Sequence, residues 1–335
     1  MVSNFEFLEK DFPVLANFGE LAEKYCYSDS NSCLMKLGMI GETIVNLMFT
    51  YDRIALPQDN TAVARIDTLV REGLLTRDLA TILHGLRKVR NKAVHENYSS
   101  VTDSKNFLSI AYGMCEWFMQ TYGDWSYTHK DFIMPEENAM LVPVDKIAEE
   151  KKEAELAKQA EENAANAPKV TQEERKKQAY KVANQRPKTE AETRFLIDEQ
   201  LRMVGWEADT ENIRYSKGVR PTKGRKLAIA EYPTNSTVGN RGYADYALFI
   251  GEKLVGIIEA KAIHKDIPSV IDYQGKDYPR CIREEDEKYV IGKWGEFKVP
   301  FTFATNGRPY LEQYKTKSGI WCLDLRKPGN SPMAL

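Results

Sequence analysis

Cysteine is scarce in this chain of 335 residues, and histidine scarcer, with five and four copies. The cysteines (Cys26, Cys33, Cys115, Cys281, Cys322) are scattered, odd in number and never paired as CxxC. That excludes a disulfide framework and a zinc knuckle, and reduced thiols in a cytoplasmic setting are expected. No uninterrupted apolar run approaches the roughly 18 residues of a membrane span, so no membrane partner is expected. The opening MVSNFEFLEKDF has neither a basic n-region nor an apolar h-region, which argues against a signal peptide. Net charge is also missing, at −2 overall. A nucleic-acid surface would therefore have to be a local patch. No GxxxxGK[ST] phosphate loop occurs anywhere. What is present is the balance of a globular chain, 42% AVILMFWYC and 29% charged, long enough for two cores.

Residues 1–135 carry helical spacing throughout. Leu34, Leu37, Ile40, Ile44, Leu47 and Met48 form one stripe, with Asn31-Ser32 as its expected cap. Further stripes run through Val63, Ile66, Leu69 and Val70, closed by Gly73, through Leu79, Ile82, Leu83, Leu86 and Val89, and, after Thr102-Asp103, through Phe107, Leu108, Ile110, Ala111, Met114, Trp117 and Phe118. Four or five amphipathic helices with short connections predict an all-α helical bundle. Residues 136–187 read as a charged helical linker. Its stretch from Asp145 to Gln185 is rich in Ala, Glu and Lys, is broken at Pro168, and lacks the a/d seam of a coiled coil.

From 188 to 335 the pattern is α/β. TEAETRFLIDEQLRMVGW is one helix, with Thr189 and Glu192 spaced as a capping box. LAIAEY, YADYALFI, KLVGIIEAK, VPFTFATN and IWCLDL are strand-like. The stretch 269–287 has helical spacing at Val270, Tyr273 and Asp277. The order of helix, three strands, helix and strand predicts an α/β domain.

Chemistry gathers where GYADYALFIGEKLVGIIEAKA turns back on itself. With Gly251-Glu252-Lys253 as a three-residue loop, Ile250 pairs with Leu254 and Asp245 lies opposite Glu259. A two-residue loop sends Glu259 to the other face unless a bulge compensates. Lys261 shares the face of Glu259. Two facing carboxylates repel unless a cation lies between them, and Mg²⁺ suits such an oxygen set, with the Ala260 carbonyl and waters completing it. The lysine would orient or activate water, or offset phosphate charge. The plainer alternative is that Glu259 and Lys261 form a surface ion pair at the end of a strand.

Asp245 followed by Glu259-Ala260-Lys261 resembles the PD-(D/E)xK nuclease motif, with Ala244 where proline is usual. Gln274-Gly275-Lys276-Asp277-Tyr278 resembles the QxxxY motif of a subset of these nucleases. With VPFTFATNGRPY, the whole of 188–328 is similar to the nuclease domain of type I restriction enzyme R subunits. The resemblance implies a Mg²⁺-dependent endonuclease acting on double-stranded DNA, with methylation (M) and specificity (S) subunits as partners. It implies a catalytic set of Asp245, Glu259, Lys261, Gln274 and Tyr278, and a metal set of Asp245, Glu259, the Ala260 carbonyl and Glu192, with Glu190 a near neighbour of the last. ATP binding and translocation would belong to motor lobes of a longer parent protein.

Lys217, Arg220, Lys223 and Arg225, beside Lys226, form a basic loop that would face DNA. Arg280 and Arg283, expected on the QxxxY helix, would add phosphate contacts. Residues 1–135 resemble an all-helical domain that precedes the nuclease in some R subunits. LRKVRNKAVHENY, with Arg90-Asn91 and His95, looks like the HEPN motif. Two other functions therefore stay open: a subunit-docking module inactive in isolation, and a HEPN-type ribonuclease using Arg90 and His95.

Overall fold

The computed structural model describes residues 3–137, 146–236, 242–261, 266–271, 275–307 and 312–335. The chain divides into two compact units, Met1–Ala191 and Glu192–Leu335.

The first unit is the expected helical bundle. A 3-10 turn at Asn4–Leu8 leads into α1 (Pro13–Tyr25), α2 (Ser30–Asp52), α3 (Ala62–Arg71), α4 (Arg77–Glu96) and α5 (Val101–Tyr122). Most of the stripe residues are buried, from Leu34 and Ile44 on α2 to Trp117 and Phe118 on α5, while Val63 at the start of α3 is exposed and Val70 and Phe107 are half-buried. Hiding these apolar faces supplies the main driving force for the bundle. By length and composition α2 could cross a membrane, yet most of its side chains are buried inside the unit, as in a core helix. Its cap differs from the expected Asn31-Ser32. Asp29 accepts the Ser32 N–H at 3.1 Å, because the N-cap side chain must reach back to the third residue on. Asn31 instead donates to the carbonyls of Ala93 in the last turn of α4 and of Tyr98 just beyond its end.

The expected solvated linker is only half solvated. α6 (Lys146–Asn166) and α7 (Gln172–Gln185) are separated near Pro168, as read, but both pack on the bundle. Lys36 on α2 sits between Glu149 and Glu153 of α6, at 2.6 and 2.5 Å. Trp117 donates its indole N–H to the Ala179 carbonyl of α7 at 3.1 Å, and Arg175 reaches Asp52 and the Thr121 carbonyl. The packed faces are built from Ala160, Ala164, Ala179, Val182 and Ala183.

The helix α8 (Glu190–Met203) starts directly after Thr189. The second unit is a seven-stranded sheet: β1 (Glu207–Ala208), β2 (Lys226–Pro233), β3 (Tyr243–Ile250), β4 (Lys253–Ala260), β5 (Phe301–Thr305), β6 (Ile320–Asp324) and β7 (Met333–Ala334). Strand order follows chain order, with β1–β2 and β4–β5 parallel and the other pairs antiparallel. Ile197 and Leu201 of α8 pack on Ala228, Tyr246, Leu248 and Ile258. Tyr278, Ile282 and Val299 pack in a second cluster with Leu227, Ile229, Phe249 and Ile257. The sheet is thus buried on both faces, which explains the unbroken apolar run of β4.

The long helix expected over 269–287 is broken. Among the described residues α9 (Ile267–Val270) and α10 (Asp277–Arg280) are helical, with Ile271 and Gly275 in π-helical conformation, and the helix ends at 281–283 before a 3-10 stretch at Glu284–Tyr289. Pro279 has no N–H to continue a helical ladder. Arg283 therefore lies beyond the helical turn that carries Arg280.

Candidate active site at the β3–β4 hairpin

The hairpin turns in two residues, not three: Ile250 pairs with Lys253. Gly251 takes the left-handed conformation, φ 61°, that a tight two-residue turn needs at its first position. Alone, this turn would put Glu259 on the wrong face. The register then shifts: Phe249 pairs with Leu254, but Leu248 pairs with Gly256, leaving Val255 as an extra residue. This β-bulge restores the phase. The pairing runs on through Ala247–Ile257 and Tyr246–Ile258, so the next facing pair is Asp245 and Glu259. A Cβ at Gly256 would lie 3.0 Å from the Phe303 ring, so any larger residue there would crowd it.

Both acids are buried, Glu259 at 1% exposure and Asp245 at 7%. The Ala260 N–H donates to Asp245 Oδ2 at 2.7 Å, so it is the amide of Ala260 that fixes the acid. Lys261 brings its ammonium to Glu259 Oε1 at 2.5 Å, and its own N–H donates to the Thr305 carbonyl on β5. Glu259 Oε2 is buried and meets no N–H donor or hydroxyl among the described residues; what faces it is the second acid, Asp245, with which it can share a proton. Burial pushes the Glu259 carboxyl well above its ordinary range, and the nearby Asp245 charge pushes it further; Lys261 offsets only part. Burial also raises Asp245, against the pull of the Ala260 N–H, Arg194 and Lys261. Two acids that resist ionising together, one with an open oxygen, form an oxygen-donor site short of positive charge.

Glu192 is fully buried on α8. Among the described residues, however, no group of three or more His, Cys, Asp or Glu side chains is placed to share a metal ion. Tyr278 is a fully buried core residue, and Gln274 lies outside the described residues, as does His264.

Most of the basic residues singled out in the sequence have local partners. Arg225 forks onto Glu207, with contacts of 2.6 to 3.1 Å. Arg220 stacks 3.5 Å over the Tyr215 ring, and Arg283 holds Asp286 and the Tyr215 hydroxyl. Arg280 pairs with Glu296 at 2.7 Å. Lys217 and Lys223 are exposed, Lys223 with a distant contact of 4.0 Å to Glu252.

In the helical unit, Arg90 pairs with Glu42 at 3.0 Å. Arg90 and Asn91 line a cavity of about 230 Å³ with Arg65 and Arg87; His95 is exposed on the last turn of α4 and is not among the lining residues.

Sequence reasoning missed three residues around the site. Arg194 on α8 approaches Asp245 Oδ1 at 4.0 Å and Glu231 Oε1 at 3.7 Å. Arg214 holds Glu231 through its Nε at 2.9 Å. The third, Asp198, ties α8 to β3. It accepts the Thr210 N–H at 2.8 Å and the Tyr246 hydroxyl at 3.1 Å. Only the helix pattern of TEAETRFLIDEQ hinted that an Arg or Asp there could face the sheet.

A family model described as "Type I restriction enzyme EcoKI endonuclease subunit second domain" matches residues 207–335. Another, "Domain of unknown function (DUF4145)", matches residues 20–159. The chain is 29% identical over 410 aligned residues to the type I restriction enzyme EcoKI endonuclease subunit of Escherichia coli (strain K12). That alignment covers 99% of this chain and 35% of the relative, so the chain spans about a third of the relative's length. No solved structure matches.

Proposed function

We propose, from the chain's similarity to a type I restriction enzyme endonuclease subunit, that its sheet unit is a Mg²⁺-dependent nuclease site for double-stranded DNA. One observation carries the reading: two buried acids that face each other, with no cationic or N–H donor on Glu259 Oε2 among the described residues, on strands that a bulge brings into phase. The two carboxylates fit a hard divalent cation, which takes oxygen ligands and needs few from the protein. Asp245 and Glu259 would hold it. When bound, such a cation lowers the pKa of a water and neutralises phosphate oxygens.

The chain's own residues do the rest. The Ala260 N–H keeps Asp245 aimed at the pocket, and burial of both acids keeps competing water out. Lys261 sits beside Glu259, where its ammonium stands ready to orient an attacking water or balance charge on the phosphate. Tyr278 acts through packing beneath the sheet. As the resemblance implies, methylation and specificity subunits are the partners, and ATP-driven translocation belongs to regions of the longer relatives that lack a counterpart here.

The test is direct. Mn²⁺ binding followed by calorimetry, and nicking of supercoiled plasmid in Mg²⁺, are measured on the wild type, Asp245→Ala, Glu259→Ala and Lys261→Ala. Both acid variants should lose the ion, and all three should lose cleavage by on the order of a hundredfold or more. Wild-type protein that binds no divalent ion, or acid variants that bind it unchanged, would remove the reading.

A further inference from the structure

Arg194 stands next to the two acids and belongs to neither motif. Its Nη2 lies 4.0 Å from Asp245 Oδ1 and 3.7 Å from Glu231 Oε1. Both distances exceed a direct hydrogen bond, so neither of these acids locks the guanidinium in place. The side chain is about a fifth exposed, with 19% of its surface open to solvent.

Glu231 occupies the β2 position that faces Asp245, since Ala230 pairs with Tyr246 and Tyr232 with Ala244. Its φ is 46°, the left-handed region, in a strand whose pairing continues on both sides. A non-glycine residue there costs about 1 kcal/mol or more, and strain of this kind collects at functional sites. The twist breaks the alternation of β2: Tyr232 joins the cluster of Leu227 and Ile229. From the other side Arg214 clamps the carboxylate, with Nε to Oε2 at 2.9 Å and Nη2 against Oε1. A strained backbone and an arginine clamp therefore hold one glutamate so that it steadies a second arginine beside Asp245.

We propose that Arg194 binds a non-bridging phosphate oxygen of the DNA strand, with Glu231 as its positioning residue. The inference rests on the nuclease reading of Asp245 and Glu259. A cation on Asp245 repels the guanidinium and takes over the balancing of that acid, while Glu231 keeps the arginine at the mouth of the site. The planar fork of arginine suits phosphate oxygens, and the whole arrangement adds one positive charge where the backbone must pass.

Three measurements on the 335-residue chain test it: Mn²⁺ affinity by calorimetry, duplex affinity by fluorescence anisotropy in Ca²⁺, and the slope of log affinity against log salt. Arg194→Met should bind Mn²⁺ at least as tightly as wild type and bind duplex roughly tenfold more weakly. Its salt slope should fall by about one, as for the loss of one phosphate contact. Glu231→Gln should weaken duplex binding less, with Mn²⁺ binding intact. A purely structural ion pair would change the melting temperature and leave the salt slope alone. Should Arg194→Met fail to fold, Arg194→Gln keeps the stem, drops the charge and carries the same readout. Mn²⁺ binding intact with unchanged duplex affinity and slope overturns this inference alone. Wild type that takes up no Mn²⁺ overturns the nuclease reading and this inference with it.

Discussion

Glu116 in the helical unit and Glu259 in the sheet unit are both buried glutamates, at 2% and 1% exposure, and their oxygens meet different fates. Glu116 Oε1 accepts the Lys130 N–H at 3.0 Å and the hydroxyls of Tyr112 and Tyr127, while Oε2 meets His129 Nδ1 at 2.7 Å. Glu259 has Lys261 on one oxygen and, on the other, no N–H or hydroxyl donor among the described residues, only the facing acid Asp245. Asp78 in the helical unit repeats the closed pattern, with Lys188 at 2.7 Å and Thr76 at 2.5 Å. Closed carboxylates fasten helices and loops. The open one carries a desolvation cost that either a retained proton or a bound cation can offset. The difference separates acids that serve the fold from acids that serve a site.

The comparison breaks first, and by the largest amount, at Asp78. Burial alone would raise its carboxyl, but Lys188, Thr76 and Arg186 together hold it down to about 2. Replacing it by Ala leaves Lys188 in a buried place without its partner, and should cost about 3–5 kcal/mol by urea denaturation at pH 7. The folded pKa is depressed, so the stabilisation is present above the ordinary value of 3.8 and is lost as pH falls towards 2. The gap between Asp78→Ala and wild type should therefore close below about pH 4. A gap that does not change with pH would show that the pair contributes packing and not charge.

Asp198 is the intermediate case, a well-bonded acid for which burial still wins. Burial raises it to about 6, despite the N–H and hydroxyl of Thr210, the Arg202 charge and the Tyr246 hydroxyl. Here the folded state holds its proton longer than the unfolded chain does, so this acid lowers stability as pH rises from about 4 to about 6. Asp198→Asn should gain on wild type over that window by on the order of 2 kcal/mol. Melting temperatures at pH 4 and pH 7 would show it; parallel losses at both would mean that α8 depends on the acid's geometry and not its charge.

The open acid should behave in the opposite sense to the closed ones. Glu259→Gln replaces a buried carboxyl that resists ionising with a neutral amide, and should leave the ion-free protein equally stable or more stable by roughly 1–2 kcal/mol. The same change should abolish the rise in melting temperature that Mn²⁺ gives the wild type. A loss as large as that at Asp78 would place Glu259 among the structural acids.

These contrasts were partly legible beforehand. The apolar stripes of α2, α4 and α5 stand out because large side chains recur at helical spacing. Those of α6 and α7 do not, because their packed faces are alanines, Ala160 and Ala164 on one and Ala179 and Ala183 on the other, which look solvated in a charged context. The hairpin could be read as bringing Asp245 to Glu259 only if the loop or a bulge allowed it. Val255 supplies that bulge, and nothing in KLVGIIEAK marks it beforehand, since a bulge is set by the strands on either side. Glu231 was hidden for a related reason. In LAIAEY it looks like an ordinary polar residue of a strand, and its left-handed backbone is imposed by Arg214, Arg194 and the sheet, none of which is a local signal.

The smallest effect is expected at Arg225, whose place in a basic loop made it a DNA-facing residue by sequence. Its guanidinium forks onto Glu207 with both side chains 45% exposed, so water and salt screen the pair. Arg225→Ala should change stability by less than about 1 kcal/mol, and the difference should fade in high salt. Its effect on the salt slope of duplex binding should also be smaller than that of Lys223→Ala, because Lys223 is 88% exposed and barely engaged while Arg225 already has its counter-ion. If Arg225→Ala instead lowers the slope by a full unit, the Glu207 fork opens on DNA, and the basic loop joins Arg194 as part of the path of the phosphate backbone.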